Sequence, residues 1–524
     1  MTAPKQGVAA SAYSKLESDR SPYIQDGIAC AELTIPSLFP KVLDGNAKLP
    51  TPYQSVGARG VNNLAAKMML AVFPANTSIF RLKIEDEVLA QLSDRPNIRT
   101  KVEAGLASVE RRTSSELETK GIHTTAFEIF KHLVVVGNCL MFTPDDGPIK
   151  MYSLHSYVVR RDYTGNPLEI VLHEKVAKIA LPIAVQEALS KTENRGQKSE
   201  EEVTIYTHVR RLKDRWEAYQ EVAGQRVPGT YGTYPLGKCP WIPLRLIKQD
   251  GKHYGRGYVH EYIGDLLSLE GLSQALLEGA IAAAKVLFLV NPNGTTEKQD
   301  LEEAPNGAFR DGDVKDVTTL QLQKYNDFRV ALEQANSITE RLSFAFLLNS
   351  AVQRGGERVT AEEIRYVARE LEDSLGGIYS LLSQELQMPL VARVMYVLQK
   401  QKRLPAFPQQ DVRPVIITGM EALGRGNDLA KLELAMSKIQ VLGPEVIKEF
   451  MDVSDYIDRV FTSCGVDTQG LILTEDARAL RQQQTMQQQM LMQGLNPAIN
   501  QGGQLLKQGM QQNGSSQQSQ GGNA

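Results

Sequence analysis

The chain has 524 residues, of which 42% are hydrophobic and 23% charged, and its net charge is −3. A chain of this length is too long to fold around a single hydrophobic core, so several structural regions are expected. The composition is that of an ordinary globular protein. The 58 basic and 61 acidic residues nearly balance. That balance argues against a protein that grips nucleic acid over a broad surface, but it permits DNA to slide past without being held.

The cysteines and the apolar runs favour a soluble protein made in a reducing cytoplasm. The four cysteines are far apart and form no CxxC pair: Cys30, Cys139, Cys239 and Cys464. Residues 1–23 contain no apolar signal segment. The nearest approach to a membrane span, residues 279–290, is short and carries Lys285. We therefore predict no membrane partner.

The first third of the chain has the apolar spacing of helices. One helix is predicted over residues 61–73 and a second over residues 96–121. A third is predicted to start at Thr125, where Glu128 completes a capping box, and to end near Gly137.

From about residue 140 to residue 248 the apolar pattern changes to the period of two that is typical of strands. These segments predict a β-rich insert on a helical body. The predicted parts are strands 150–161 and 167–176 joined by a turn at 162–166, an exposed loop at 192–202, a second hairpin of 203–212 with 216–222, and a strand at 241–248.

The second half returns to helical spacing, with helices predicted over 261–290 and 328–348 on either side of a turn-rich, acidic stretch. A glycine break at 354–357 precedes a capping box at Thr360 and a long helix to about residue 402. Gly376, Gly377 and Pro389 should bend that helix. Smaller helical segments are predicted over 428–481, and the Gln-rich tail after Arg481 is predicted to be disordered.

Signatures of catalysis are sparse. Residues 232–238 have the glycine and lysine spacing of a phosphate-binding loop, but Cys239 replaces the expected Ser or Thr and Pro240 follows. The flanks predict a loop between strands. Residues 311–316 have part of the acidic spacing of a calcium-binding loop, but Lys315 occupies a position where such a loop needs an oxygen ligand. No zinc spacing and no nucleophile elbow occur. We predict no catalytic residues, no metal and no cofactor, and hence no enzyme.

Three stretches are similar to the portal (head-to-tail connector) proteins of short-tailed, double-stranded DNA phages of the autographivirus type. They are residues 33–40, LTIPSLFP; residues 56–70, VGARGVNNLAAKMML; and the block 341–390, which contains FAFLLNSAVQ and GERVTAEEIRY. The similarity runs in order from about residue 10 to residue 480, whereas the Gln-rich tail has no clear counterpart.

The resemblance implies an α+β, mainly α, portal fold with wing, stem, clip and crown. It divides the chain into a wing at 1–260 with its β-rich insert at 140–248, stem helices at 261–290 and 326–348, a clip at 291–325, a tunnel loop at 349–359, a long kinked helix at 360–402, a crown at 403–481 and a tail at 482–524.

The function that the resemblance implies is a ring, usually of about twelve subunits, at one capsid vertex of the virion. Double-stranded DNA would pass through the ring during packaging and ejection. The implied partners are the terminase motor, then the tail adaptor, together with the major capsid and scaffolding proteins, and assembly would occur in the host cytoplasm.

The implied DNA-channel loop contains Gln353, Arg354, Gly355, Gly356, Glu357 and Arg358. Mixed charges suit sliding contact, although a plain surface turn fits the residues equally well. The implied docking residues of the clip are Glu297, Glu302, Glu303, Asp311, Asp313 and Asp316. These acids could steer basic partners or form an ordinary solvated face.

Two alternatives remain open from the residues alone. One is an NTP-dependent enzyme that uses residues 232–238, and nucleotide binding abolished by Lys238→Ala would support it. The other is a cytoplasmic scaffold with no DNA role.

Overall fold

A computed structural model describes residues 7–42, 48–74, 79–84, 96–183, 185–186, 202–284, 287–309, 311–320, 325–348, 381–405, 412–416 and 435–439. The chain divides into two compact units, Met1–Leu423 and Gly424–Ala524. In the second unit, the described residues 435–439 are helical. The following description concerns the first unit.

Four helices and a small sheet build the main core. The helices are α1 (Val8–Glu32), α2 (Val56–Val72), α3 (Pro96–Thr119) and α4 (Ile122–Val136). The sheet has the order β10–β2–β3, from strands β2 (Asn138–Phe142), β3 (Lys150–Ser153) and β10 (Trp241–Arg245). The central helix α4 is buried along most of its length, because Ala126, Ile129, Phe130 and Leu133 are fully enclosed. A short antiparallel pair, β1 (Phe80–Ile84) with β15 (Val412–Ile416), joins segments more than 300 residues apart in this unit.

The second layer is an antiparallel sheet of six strands. Its strands are β4 (Tyr157–Arg161), β5 (Pro167–Ala177), β6 (Glu202–Arg211), β7 (Arg215–Val222), β8 (Gln225–Arg226) and β9 (Gly232–Pro235). Helix α1 covers one face of this sheet, where Tyr13 and Leu16 pack against Val158 and Val171. A pair of two-residue strands, β11 (Ile247–Lys248) and β12 (Gly255–Arg256), follows.

Two long helices leave this body, with a small module between them. A 3₁₀ turn, Tyr258–Tyr262, leads into α5 (Ile263–Ala284). The module consists of β13 (Leu287–Val290), α6 (Lys298–Glu302), a 3₁₀ turn at Val314–Asp316 and β14 (Val317–Leu320). The chain returns through α7 (Tyr325–Ala345). After the undescribed residues 349–380, a π-helical turn at Ser383–Gln387 precedes α8 (Met388–Lys400).

Most predicted elements are confirmed, and several boundaries are wrong. Helix α3, the turn at 162–166 and the hairpin of β6 with β7 occur where they were expected. Helix α2 ends within one residue of the prediction but begins at Val56, five residues before the predicted start. The predicted strand 150–161 is divided by a 3₁₀ turn at Leu154–Ser156, and the predicted strand 241–248 is divided into β10 and β11. Residues 192–201 of the predicted exposed loop, and most of 428–481, lie outside the described residues.

The predicted capping box at Thr125 is wrong. Helix α4 begins three residues earlier, after Gly121 with its left-handed φ of 73°. The Thr125 hydroxyl donates a hydrogen bond to the Ile149 carbonyl (3.3 Å) instead of capping a helix. The predicted end is confirmed, because Gly137, at φ 80°, terminates α4 and donates to the His132 carbonyl.

The predicted helix 261–290 is too long at its C-terminal end. Helix α5 ends at Ala284, and Leu287–Val290 form a strand instead, paired antiparallel with Val317–Leu320. The apolar run continues through both elements, so spacing alone could not separate them.

One helical stretch among the described residues, Tyr258–Ala283, is long and apolar enough to cross a membrane by length and composition. Of its most apolar window, 11% is buried. The sequence-based expectation had singled out residues 279–290 as the nearest approach, so this stretch was missed. A single such helix is weak evidence for a membrane span.

Candidate functional site

The module between α5 and α7 displays the predicted docking acids. Strands β13 and β14 pair from Leu287 with Leu320 to Val290 with Val317, and the Asn291 amide donates to the Asp316 carbonyl (2.8 Å). This two-stranded base carries residues 292–309 and 311–315, most of which are exposed, and we call this part of the chain the protrusion. Residues 291–320 carry seven acidic and three basic residues, so the protrusion is negatively charged.

Two of the six predicted acids hold the protrusion together. Asp316 Oδ2 accepts hydrogen bonds from the Thr295 amide (2.8 Å) and from the Thr296 amide (3.3 Å) and hydroxyl (3.2 Å). Asp313 Oδ1 accepts from the Lys315 amide (3.0 Å) and caps the following 3₁₀ turn. These carboxylates therefore have a local structural role, and their part in docking stays a prediction.

The other four predicted acids, Glu297, Glu302, Glu303 and Asp311, are exposed. Sequence reasoning missed two apolar neighbours in the same loop, Phe309, which is fully exposed, and Val314, which is 90% exposed. Isolated apolar residues among Gly and Asp in a turn were the signal that could have found them. Exposed apolar groups with a charged rim are typical of protein-docking surfaces.

The predicted DNA-channel residues, Gln353 to Arg358, lie outside the described residues. The structure does describe the chain just before them. Helix α7 ends at Ala345, and Leu347 adopts a left-handed φ of 56°. Phe346 is fully buried beside Tyr258 and Tyr262, with ring centroids about 6 Å apart.

Helix α2 holds that end of α7. Asn63 Nδ2 donates to the carbonyls of Phe346 (3.0 Å) and Leu347 (2.9 Å), and the buried Lys67 ammonium donates to the Leu347 carbonyl (3.0 Å). A positive charge at a helix C-terminus also complements the helix dipole. The residues involved belong to two of the stretches that carry the resemblance, 56–70 and 341–390. No local pattern in either stretch indicates that the two contact each other.

The chain after the undescribed segment is also fixed to the body. In the π-helical turn, Glu385 Oε1 accepts from Arg245 Nε (3.0 Å) and Nη2 (2.9 Å), and Arg161 approaches the same atom to 4.0 Å. Gln387 Nε2 donates to the Val72 carbonyl (2.7 Å). Burial lowers the pKa of the Arg161 guanidinium to about 10, while the Glu385 carboxylate acts in the opposite direction.

Farther along α8, the fully buried Arg393 donates to the Thr143 carbonyl (3.2 Å) and pairs with Asp145. Asp145 also accepts from Lys400 (2.7 Å), and these two cations hold the pKa of its carboxyl below the ordinary value against desolvation. Both ends of segment 349–380 are thus anchored by charged or polar contacts to the same body.

The phosphate-loop-like segment is part of the sheet. Gly232–Pro235 form strand β9, which pairs antiparallel with β7, so the prediction of a plain loop is wrong at these residues. Lys238 lies in a turn that leads directly into strand β10, and its ammonium is 5.3 Å from the centre of the Tyr396 ring. A phosphate-binding loop requires a helix whose amides face the ligand, and a strand follows here.

Comparisons with known proteins give one consistent result. A family described as "Bacteriophage head to tail connecting protein" matches residues 6–472. The chain is 45% identical to the portal protein of Escherichia phage T7, over 96% of this chain and 93% of the relative. It is 44% identical to the portal protein of Enterobacteria phage T3 over 89% and 88%, and 30% identical to that of Enterobacteria phage SP6 over 93% and 94%.

Among solved structures, the neck of a native gene transfer agent particle, computed with C12 symmetry, matches at 11% identity and a TM-score of 0.34. That match covers 74% of this chain and 89% of the other, and at such a TM-score it carries no argument. The family match over most of the length and the identities above 40% are decisive, and they confirm the resemblance found in the sequence. The chain belongs to the family of bacteriophage head-to-tail connecting proteins.

Proposed function

We propose that the chain is the subunit of a ring of about twelve copies that stands at one capsid vertex and conducts double-stranded DNA. The observation that carries the proposal is the 45% identity to a portal protein over 96% of the chain. The ring forms in the host cytoplasm and becomes part of the virion, where major capsid and scaffolding proteins surround it.

Segment 349–359 is the part of the ring that meets the duplex. The described chain on both sides supports this role, because Asn63 and Lys67 bind the chain just before it, and Arg245 binds Glu385, 26 residues after it. The glycines at 355 and 356 give it the backbone freedom to follow a helical duplex.

The acidic protrusion at 291–320 is the surface to which the terminase motor docks during packaging and the tail adaptor docks afterwards. Support comes from the exposed Glu297, Glu302, Glu303 and Asp311, which belong to the same protrusion as the exposed Phe309 and Val314. A partner that fits this surface presents an apolar pocket with a basic rim.

The protein conducts DNA without catalysing a reaction of its own. A strand follows Lys238, whereas a phosphate-binding loop needs a helix whose first amides face the phosphates. The docked motor then supplies the energy for packaging. The ring contributes the passage for DNA and the surface to which first the motor and then the tail adaptor docks.

Deletion of residues 355–358 tests the proposed channel segment. The variant should form rings with the same number of subunits as the parent chain, because the described contacts of both flanks lie outside the deletion. Packaging reactions with the variant should yield far fewer DNA-filled heads, measured by nuclease-protected DNA. Unchanged packaging would contradict the assignment, and loss of the ring itself would show that the segment is architectural.

A further inference from the structure

Two of the three Asn-Gly pairs in the sequence lie in the module between α5 and α7, namely Asn293–Gly294 and Asn306–Gly307. The third pair, at 513–514, lies outside the described residues. An asparagine before a glycine is chemically labile, because glycine has no Cβ to shield its backbone nitrogen from the preceding side chain. Both asparagines in the module are exposed. The contacts of each glycine therefore decide whether the pair reacts.

The reaction at such a pair needs only water. The glycine backbone nitrogen loses its proton and attacks the side-chain Cγ of the asparagine. The new N–C bond closes a cyclic imide, and the side-chain nitrogen leaves as ammonia. Water then adds to either ring carbonyl and opens the ring to aspartate or isoaspartate. The net change replaces a neutral amide with a carboxylate, and no oxidant or reductant takes part.

Asn306 and Gly307 occupy the middle of an exposed turn. The Ala308 amide donates to the Pro305 carbonyl (3.1 Å) and closes the turn, and Gly307 has a φ of 88°. Among the residues that the structure describes, none accepts a hydrogen bond from the Gly307 amide. Apart from its chain neighbours, none of them lies within 4 Å of the place where a Cβ on Gly307 would stand. The Gly307 nitrogen is therefore free to lose its proton and turn toward the Asn306 side chain.

The pair at 293–294 is held in place instead. The Gly294 amide donates to the Asn291 carbonyl (3.1 Å), and the Asn293 amide donates to the Asn291 side-chain oxygen (3.1 Å). Gly294 also lies against Asp316, because a Cβ added to it would collide with the Asp316 carboxylate. A negative charge nearby disfavours the formation of a second one. Deprotonation of the Gly294 nitrogen therefore costs a hydrogen bond and adds like-charge repulsion.

We propose that Asn306 is a site of spontaneous deamidation in the folded chain, and that the contacts of Gly294 protect Asn293 from the same reaction. The reaction adds a carboxylate to the protrusion just before the exposed Phe309. Isoaspartate also lengthens the backbone of the turn. The charge and shape of this surface therefore change as the protein ages. The proposal does not depend on the ring of the proposed function, since every contact that carries it lies within one chain.

Peptide mapping of the full-length chain tests the proposal. Trypsin cleaves after Lys285, Lys298 and Arg310, so the two asparagines fall in separate peptides, 286–298 and 299–310. The folded chain is incubated in mildly alkaline buffer, digested in mildly acidic buffer, and analysed by mass spectrometry. Peptide 299–310 should accumulate aspartate and isoaspartate. Peptide 286–298 should convert at least about tenfold more slowly, because the reaction there loses a hydrogen bond and opposes a negative charge.

Two controls connect the difference to the fold. In a chain incubated in denaturant, the two peptides should convert at similar rates, because the contacts of Gly294 are lost. Asp316→Asn should speed conversion at Asn293 and leave the rate at Asn306 unchanged. Asn306→Gln should abolish the change in peptide 299–310, because the longer side chain would have to close a larger ring.

Equal conversion of the two peptides in the folded chain would overturn the proposal. So would a peptide 299–310 that stays unchanged in the folded chain while it converts in the denatured one. A chain that deamidates as expected but never forms rings would overturn the proposed function and leave this inference standing.

Discussion

Histidine 132 shows how one buried side chain makes the fold sensitive to pH. It lies in the core on α4 at 4% exposure, and burial lowers its pKa from the ordinary 6.5 to about 4, with His155 adding to the effect. The folded protein therefore keeps this ring neutral at pH values where the unfolded chain binds a proton. Its contribution to stability is complete above pH 6.5 and is lost progressively as the pH falls toward 4.

We predict that His132→Gln flattens this dependence. Between pH 7 and pH 5, the parent chain should lose about 2 kcal/mol more unfolding free energy than the variant, as the shift in pKa requires. Urea denaturation of both proteins at the two pH values measures the difference. Equal losses in the two proteins would show that the buried ring does not carry the pH dependence.

Residue identities predicted some parts of the site and could not predict others. The acids at 297–316 were visible in the sequence. The structural role of Asp316, however, depends on Thr295 and Thr296, which lie 21 and 20 residues away along the chain. Buried Arg20 is similar, since its guanidinium donates to the carbonyls of Leu154, His155 and Tyr157. A charged residue in a mixed sequence gives no local sign of such distant partners.

At the scale of elements, helix α2 closely approaches the end of α7. A Cβ added at Gly60 would lie 2.5 Å from the Phe346 ring, which is fully buried and cannot move aside. Only glycine fits there, although glycine lowers helix stability by about 1 kcal/mol relative to alanine.

We therefore predict opposite effects for two Gly→Ala changes inside helices. Gly60→Ala should destabilise the chain by about 1–3 kcal/mol through overpacking. Gly105→Ala, on α3 with open space around the added methyl, should stabilise by up to about 1 kcal/mol. Thermal unfolding of both variants gives the comparison, and stabilisation by Gly60→Ala would refute the close packing of α2 against Phe346.

Elements with strong apolar spacing were predictable, and those that depend on a distant partner were not. Helix α2 has five apolar positions at helical spacing, and it occurs as expected. Helix α1 went unpredicted because it contains Pro22 and has no clear apolar stripe; it is stabilised by the sheet it covers and by Glu221, which accepts from the Ala9 amide (3.1 Å). Strand Leu287–Val290 likewise needs Val317–Leu320, about thirty residues later.

The described part of the expected long helix contains a helical irregularity next to Pro389. A π-helical turn at Ser383–Gln387 precedes α8, and Pro389 stands in the first turn of α8. Proline lacks a backbone N–H, and in the first turn of a helix that N–H has no intrahelical partner to lose. Gly376 and Gly377, the other predicted bend, lie outside the described residues. The π-turn presents Glu385 to Arg245, a contact between elements 140 residues apart.

At the scale of the whole molecule, sequence resemblance predicted the family, and local patterns predicted only helices, strands and breaks. The family match over residues 6–472 confirms that assignment. Subunit number is a property of the contact angle between copies, which no periodicity within one chain encodes.

The mass of the purified full-length chain in solution tests the central claim most directly. Native mass spectrometry or light scattering should give a closed species of about twelve times the 58.0 kDa subunit, with an axial hole in negative-stain images. A stable monomer as the sole species across the micromolar range would contradict a ring that conducts DNA.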